Sequence, residues 1–244
     1  MRYFIEFSYN GTNYHGWQKQ PNANTVQEEM EKCMSVLLQE EVELMGAGRT
    51  DSGVHATQMF AHFDTNTVLN TEKMVKKLNS FLPNDIMVFS VFPVKEDTHA
   101  RFTAIARTYK YYVSTEKNIF NPNTYLFFKK LDVDKMNEAC KYLMGEQDFT
   151  SFSKLHTDTF TNNCDITKAI WEQEGENFVF TISANRFLRN MVRSVVGTLL
   201  DVGCGKIEVK EIKTIIEKKD RCSAGTSVPA KALFLNQVKY PNNI

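Results

Sequence analysis

No charge excess marks this chain: 29 Lys and Arg face 29 Asp and Glu across 244 residues, for a formal net charge of zero. Global electrostatics therefore gives no support to a nucleic-acid partner, and any basic surface has to be local. Cysteine is sparse and scattered. Cys33, Cys140, Cys164, Cys204 and Cys222 include no C-x-x-C pair, which argues against a zinc knuckle or ribbon, and their odd number argues against a closed disulfide framework. They read as buried thiols of a reducing cytosol. Long apolar runs are also missing. The longest, Ile86 to Val94, is broken by Ser90 and Pro93, far short of the ~20 residues of a membrane span. Met1-Arg2 leads straight into a strand-like run, unlike the apolar core of a signal peptide.

Familiar catalytic motifs are absent too. Gly203-Cys204-Gly205-Lys206 lacks the spacing and the hydroxyl residue of a phosphate-binding P-loop. There is no G-x-S-x-G elbow, no H-E-x-x-H pair, and no H-x-E with P-C-x-x-C of the zinc deaminases.

What is there is an ordinary globular composition, 42% hydrophobic and 24% charged, long enough for one large domain or two small ones. Arg2 to Tyr9 alternates as a strand, and Asn10-Gly11 signals a turn. Thr25 to Leu38 predicts a helix with Thr25 as N-cap and Glu28 closing a capping box. Glu43 to Met45 and His55 to Asp64 read as strands, Thr71 to Phe81 as a helix, and Ile86 to Phe92 as a buried strand. The pattern restarts near Thr103 with an aromatic strand, Arg107 to Val113, and a helix from Asp134 to Met144. Strands at Ile166 to Trp171 and Asn177 to Ala184 follow, then helices at Leu188 to Leu200 and Val209 to Lys218, and a last strand from Leu233 to Tyr240. Runs of strands and helices without strict alternation predict an α+β fold with mainly antiparallel sheet. We divide it into two similar lobes, residues 1–103 and 104–244, sharing one continuous sheet or cleft.

Three segments could carry chemistry. In Gly46 to Ala56, three glycines surround Arg49, Thr50, Asp51 and Ser52, so the backbone can bend and approach a neighbour closely while presenting one carboxylate. On spacing alone, Asp51-Ser52-Gly53 reads more simply as a turn. A metal site from Asp51, His55 and His62 is disfavoured by the histidine spacing. The second segment runs through His99, Arg101 and Phe102 to Arg107, Tyr109 and Lys110. Its cations interleave with aromatics, as on surfaces that read single-stranded RNA, or as on a plain amphipathic strand. In the third, Arg186, Arg189 and Arg193 fall at i, i+3 and i+7 with no acid nearby. They would form one helical stripe facing an anion if the helix begins that early. The residues alone stop at an RNA or phosphate-bearing substrate and a lone carboxylate.

Gly48-Arg49-Thr50-Asp51-Ser52-Gly53-Val54-His55-Ala56 resembles the catalytic loop of the tRNA pseudouridine synthase A family. So, in order, do the segments Tyr9 to Gln18, Thr25 to Glu28, Leu82 to Ile86, His99 to Phe102, Gly145 to Phe152 and Phe187 to Arg193. The resemblance covers essentially the whole chain. It implies two lobes whose sheets merge into one central sheet around a cleft, and a cytoplasmic homodimer acting on the anticodon stem-loop of tRNA at positions 38, 39 and 40. It also implies isomerisation of uridine to pseudouridine with no metal or other cofactor. Asp51 would be the nucleophile. Tyr109 would stack on the uracil and take its C5 proton, Arg193 would pair with Asp51, and Leu233 would pack against the base. Arg49 would hold the base out of its stack. His99, Arg101, Phe102, Arg107, Arg186 and Arg189 would touch RNA. The segment Lys154 to Cys164 is poor in cations where some members of the family carry Arg. Two other readings share these residues: a synthase of the same fold with a different RNA target, and a catalytically silent RNA-binding protein, which would not need Asp51.

Overall fold

Strand β1, Arg2–Tyr9, alternates as expected, but both of its faces are largely buried, and strands flank both of its edges. It pairs antiparallel with β3, His55–Asp64, and with β4, Ile86–Val94. The computed structural model describes residues 1–154, 160–242 and 244. They form two compact units, 1–105 with 234–244, and 106–233. The last strand, β10 (Leu233–Lys239), returns to the first unit, where it runs parallel to β3 with Phe234 opposite His55. A division that runs the second lobe through residue 244 differs from this one in the placement of β10.

The first unit's strands lie in the order β4-β1-β3-β10, with the short β2, Met45–Gly46, alongside β3. Helix α1, Val26–Leu38, starts where Thr25 accepts the Glu28 N–H at 3.3 Å, while the Glu28 carboxylate meets Lys32. Helix α2, Thr71–Phe81, is capped by Asn70. The expectation of a buried strand over Ile86 to Phe92 is corrected. β4 lies at the end of its sheet with Met87 and Phe89 exposed, which is also where a strand tolerates Pro93.

In the second unit the order is β5 (Ala106–Ser114), β9 (Asn177–Ala184), β8 (Asn163–Glu174) and β7 (Gly145–Asp148), all antiparallel, with β6 (Tyr125–Leu126) parallel to β5. Helix α3 covers Val133–Cys140 and tightens into a 3-10 turn before Gly145, whose φ of +85° suits glycine. Helices α4, Met191–Gly203, and α5, Glu211–Lys218, complete it. Each unit ties a helix to a strand through one asparagine. Asn79 of α2 both donates to and accepts from the Val88 backbone at 2.8 Å. Asn137 of α3 does the same to Trp171, at 3.0 and 2.8 Å. In each case a side-chain amide stands in for a missing sheet partner.

Three of the five cysteines, Cys33, Cys140 and Cys164, are buried, Cys204 is half-buried and Cys222 is exposed; all are free thiols. Burial pushes the Cys33 and Cys164 thiols up to about 11 and Cys140 to about 12. These three are packing residues, with almost no reactive thiolate at neutral pH.

Candidate active site

The loop between β2 and β3 carries Asp51, and the end of β1 with the segment that follows it clasps the loop residue by residue. Tyr9 Oη shares a hydrogen bond with Thr50 Oγ1 at 2.8 Å, and the Trp17 N–H donates to the Thr50 carbonyl at 3.4 Å. The Tyr14 carbonyl accepts the Gly53 N–H at 3.2 Å and the Ser52 hydroxyl at 3.4 Å. The Gly11 N–H donates to His55 Nδ1 at 3.0 Å. Within the loop, the Val54 N–H returns to the Asp51 carbonyl at 3.1 Å, and Gly53 takes a φ of +76°, so Asp51-Ser52-Gly53 is a turn as its composition predicts. The turn and the catalytic readings describe one object: the turn is what presents the carboxylate. Asp51 is half-buried and Arg49 exposed.

The close approach expected of the loop's own glycines is made mostly by glycines outside it. A Cβ on Gly11 would fall 2.0 Å from the Val54 carbonyl oxygen, and one on Gly16 (φ +94°) 2.4 Å from that of Thr50. Gly46 has that role against the Trp17 indole, whereas Gly48 has open space around it. Read as a turn marker, Gly11 concealed this contact; only the fold brings residues 9–17 against residues 50–55.

Among the described residues, no group of three or more His, Cys, Asp and Glu is placed to hold a metal ion. His55 and His62 are seven residues apart on β3, ~23 Å of strand. Each is an acceptor for a backbone amide. His55 also stacks on Phe234 with ring centres 4.5 Å apart. His62 Nδ1 accepts the Ala100 N–H at 3.1 Å, and burial, with the charges of Arg2 and His99 adding, pushes it down to about 4. It is therefore neutral at physiological pH, as an acceptor must be.

His99, Arg101 and Phe102 lie beside His62 and hence at the other end of β3 from Asp51. His99 Nδ1 accepts the N–H groups of Arg101 and Phe102 at 3.1 and 3.3 Å. Tyr240 Oη donates to the Ala100 carbonyl at 2.6 Å, and Arg2 to that of Thr98 at 3.2 Å. On this fixed loop Phe102 is 74% exposed, with the Arg101 guanidinium 5.5 Å above its ring. His99 thus organises the loop, and Arg101 and Phe102 are what it presents.

In the second unit, Tyr109 stands half-buried on β5 opposite Ile182, its ring edge-on to Phe187 at 5.2 Å. Arg107 shares its face of the strand and donates to the Asn185 carbonyl at 2.8 Å. Lys110, grouped with the RNA-facing cations by its sequence neighbours, points to the opposite face and pairs with Glu174 at 2.9 Å. Strand alternation, which the run of basic and aromatic residues obscures, separates it from Tyr109.

The expected arginine stripe is corrected as well. Helix α4 begins at Met191, so only Arg193 is on it. Asn190 precedes it at φ +65°, the Met191 N–H turns back to the Leu188 carbonyl, and the Arg189 carbonyl accepts from the Lys154 N–H. Arg186 and Arg189 therefore lie on the connection before the helix, Arg189 exposed and Arg186 half-buried. Eleven of the helix's thirteen residues are buried, and Arg193 is locked among them. Its Nε donates to the Val228 carbonyl at 2.7 Å, and its own carbonyl accepts the Val228 N–H at 3.2 Å. The strap 224–228 is fixed in turn by Arg221, which reaches Gly225 and Ser227, by Asn190 on Ser227, and by Thr198 on Gly225. None of these supporting residues stands out in the sequence, because the contacts of Asn190 and Thr198 join positions 37 and 27 residues apart. Leu233, at the start of β10, is buried. Part of the Lys154 to Cys164 segment, residues 155–159, lies outside the described residues.

Comparison with known proteins identifies what carries this loop. A family model described as tRNA pseudouridine synthase matches residues 6–103 and 139–241. Relatives named tRNA pseudouridine synthase A include that of Bacteroides thetaiotaomicron, 57% identical over an alignment covering all of this chain and 92% of that protein. Those of Bacteroides fragilis (55%, all of this chain and 98% of that protein) and Parabacteroides distasonis (54%, all and 97%) match similarly. The chain belongs to the tRNA pseudouridine synthase family.

Proposed function

We propose that this protein isomerises uridine to pseudouridine in the anticodon stem-loop of tRNA, at positions 38, 39 and 40, with Asp51 as nucleophile. The observation that carries the reading is the Asp51 loop, a single carboxylate presented on a turn that a separate segment holds by hydrogen bonds on both sides. In the reaction Asp51 attacks the target nucleoside and bonds to it, the bond from ribose C1′ to N1 breaks, and the detached uracil rotates and rejoins C1′ through C5 as the bond to Asp51 breaks and its carboxylate is released. The proton on C5 is lost and N1 regains one, so atoms balance with no oxidant and no second substrate, and the chemistry calls for no cofactor. Covalent capture divides one difficult exchange into easier steps.

Tyr109 is the residue assigned to the uracil, as stacking platform and C5 proton acceptor. Arg193 is the counter-cation of the reaction, a role that suits a guanidinium fixed by a backbone carbonyl. Leu233 supplies apolar contact to the base, and Arg49, exposed beside Asp51, holds the nucleotide out of its stack. Arg107, Arg186 and Arg189 contact RNA near Tyr109, and Arg101 with Phe102 forms a more distant contact for which a large folded RNA is the fitting partner. The functional unit is a cytoplasmic homodimer. A catalytically silent RNA-binding protein would have no use for the clasp around Asp51.

Incubating the protein with unmodified tRNA and mapping pseudouridine at single-nucleotide resolution tests this. Modification confined to the anticodon stem-loop is expected; modification elsewhere would move the substrate assignment, and none at all would remove the proposed activity.

A further inference from the structure

The clasp around Asp51 has its own anchor, on a loop that no role assigned above uses. Asp85, between α2 and β4, receives three donors from the segment that follows β1. Its carbonyl accepts the Asn10 N–H at 2.8 Å, Oδ2 accepts Asn13 Nδ2 at 3.2 Å, and Oδ1 accepts the Tyr14 hydroxyl at 2.6 Å. Tyr14 is 4% exposed. The same residue that Asp85 holds by its hydroxyl holds the catalytic turn by its carbonyl, through the Gly53 N–H and the Ser52 hydroxyl. Two residues on, Gly16 lies so close to Thr50 that a methyl group cannot be added between them. A continuous chain of contacts therefore runs from Asp85 through Tyr14 to the residues on either side of the Asp51 carboxylate, all within one unit.

We propose that Tyr14 and Asp85 are positioning residues for the pseudouridine reaction: their hydrogen bond fixes where Asp51 presents its carboxylate. The inference rests on Asp51 being the nucleophile. Neither side chain is assigned to RNA, so their effect belongs on the chemical step and not on tRNA affinity. The Tyr14 ring fills buried space that phenylalanine fills equally. Deleting the hydroxyl alone releases the anchor while keeping the packing. A nucleophile displaced by a fraction of an ångström to about one ångström loses about 10- to 100-fold in rate.

The test measures kcat, the KM for tRNA, and hydrogen exchange at the Gly53 amide in Tyr14→Phe, Asp85→Asn, Asp85→Ala and Tyr14→Phe/Asp85→Ala. The expected result is a fall in kcat of about 10- to 100-fold in Tyr14→Phe and Asp85→Ala with KM within twofold of wild type. Asp85→Asn, which keeps an acceptor oxygen for the phenol, should recover most of the rate. The double variant should be no slower than the slower single one, because both remove the same link. Gly53 exchange should rise in every variant that loses kcat. Tyr14→Phe with wild-type kcat, losses confined to KM, or fully additive effects would each overturn the proposal. Gly53 exchange is read without any turnover. If the wild type makes no pseudouridine while Tyr14→Phe still frees Gly53, the functional reading has failed and the mechanical link stands; a fully active wild type with unchanged exchange in Tyr14→Phe sinks the link alone.

Discussion

At the scale of single residues, the proposed chemistry is divided between Asp51 and Tyr109, and conservative substitutions separate them. Asp51→Asn keeps size and polarity but removes the proposed nucleophile. Tyr109→Phe keeps the ring, edge-on to Phe187, and removes only the phenol oxygen. If Tyr109 takes the C5 proton, turnover in the Phe variant falls by at least about a hundredfold, as expected for loss of an acid–base group, with tRNA binding near wild type. Single-turnover release of the C5 hydrogen from labelled uridine reads this step directly, and a rate within a few-fold of wild type would leave Tyr109 a stacking residue. His62 gives a prediction about pH. Its folded pKa, pushed down to about 4, lies below the ~6.5 of an exposed histidine. The neutral form is the one the fold accepts, so its contribution is fully present above pH 6.5 and is lost as pH falls from there toward 4. The linkage amounts to about 3 kcal/mol. Denaturant unfolding at pH 7 and pH 4.5 should show a smaller acid loss in His62→Gln, which does not titrate, than in the wild type. Parallel losses in the two proteins would contradict the assignment.

Elements explain why some of these residues were legible in the sequence and others were not. β1, β3, α1 and α2 follow from alternation and caps that lie within a few residues, so their boundaries were readable from local pattern. The start of α4 was not. The run from Arg186 to Leu200 has helical periodicity throughout, but Asn190 in the left-handed region and the Lys154 contact to Arg189 hold the first part off the helix, and both depend on tertiary packing. The clasp was hidden for the same reason, since Gly11 and Gly16 matter only once β1 and β3 are paired. Gly197 tests this kind of packing. In an ordinary helix interior, Gly→Ala stabilises by up to about 1 kcal/mol. On α4 the new methyl would fall 1.9 Å from the Thr226 carbonyl, so Gly197→Ala should instead destabilise by about 1–3 kcal/mol and loosen the strap that holds Arg193. Unfolding midpoints settle the sign, and a stabilised variant would show that the strap yields.

For the molecule as a whole, a net charge of zero has to coexist with a polyanionic substrate. The cations assigned to RNA fall into two groups, Arg107, Arg186 and Arg189 in one unit and Arg49 and Arg101 in the other, while Lys110 and Lys219 are used in ion pairs with Glu174 and Asp148. tRNA affinity should therefore fall with salt, each phosphate contact contributing roughly 0.7 to 0.9 to the log–log slope. Arg107→Ala should lower that slope by about one contact, whereas Lys110→Ala should leave it unchanged. Equal slopes for wild type and Arg107→Ala would take that arginine off the RNA. Two units of α+β structure were foreseeable from the repeated run of strands and helices. The return of β10 to the first unit was not, because nothing local to residues 233–239 says which strand they will pair with.

The central claim is that the clasped carboxylate performs the isomerisation. Wild type and Asp51→Asn compared on the same C5-labelled tRNA, with tRNA binding measured alongside, test it most directly. The account predicts pseudouridine from the wild type and no detectable product from Asp51→Asn, at closely similar tRNA affinity. Product formation by Asp51→Asn at a rate near wild type would contradict it.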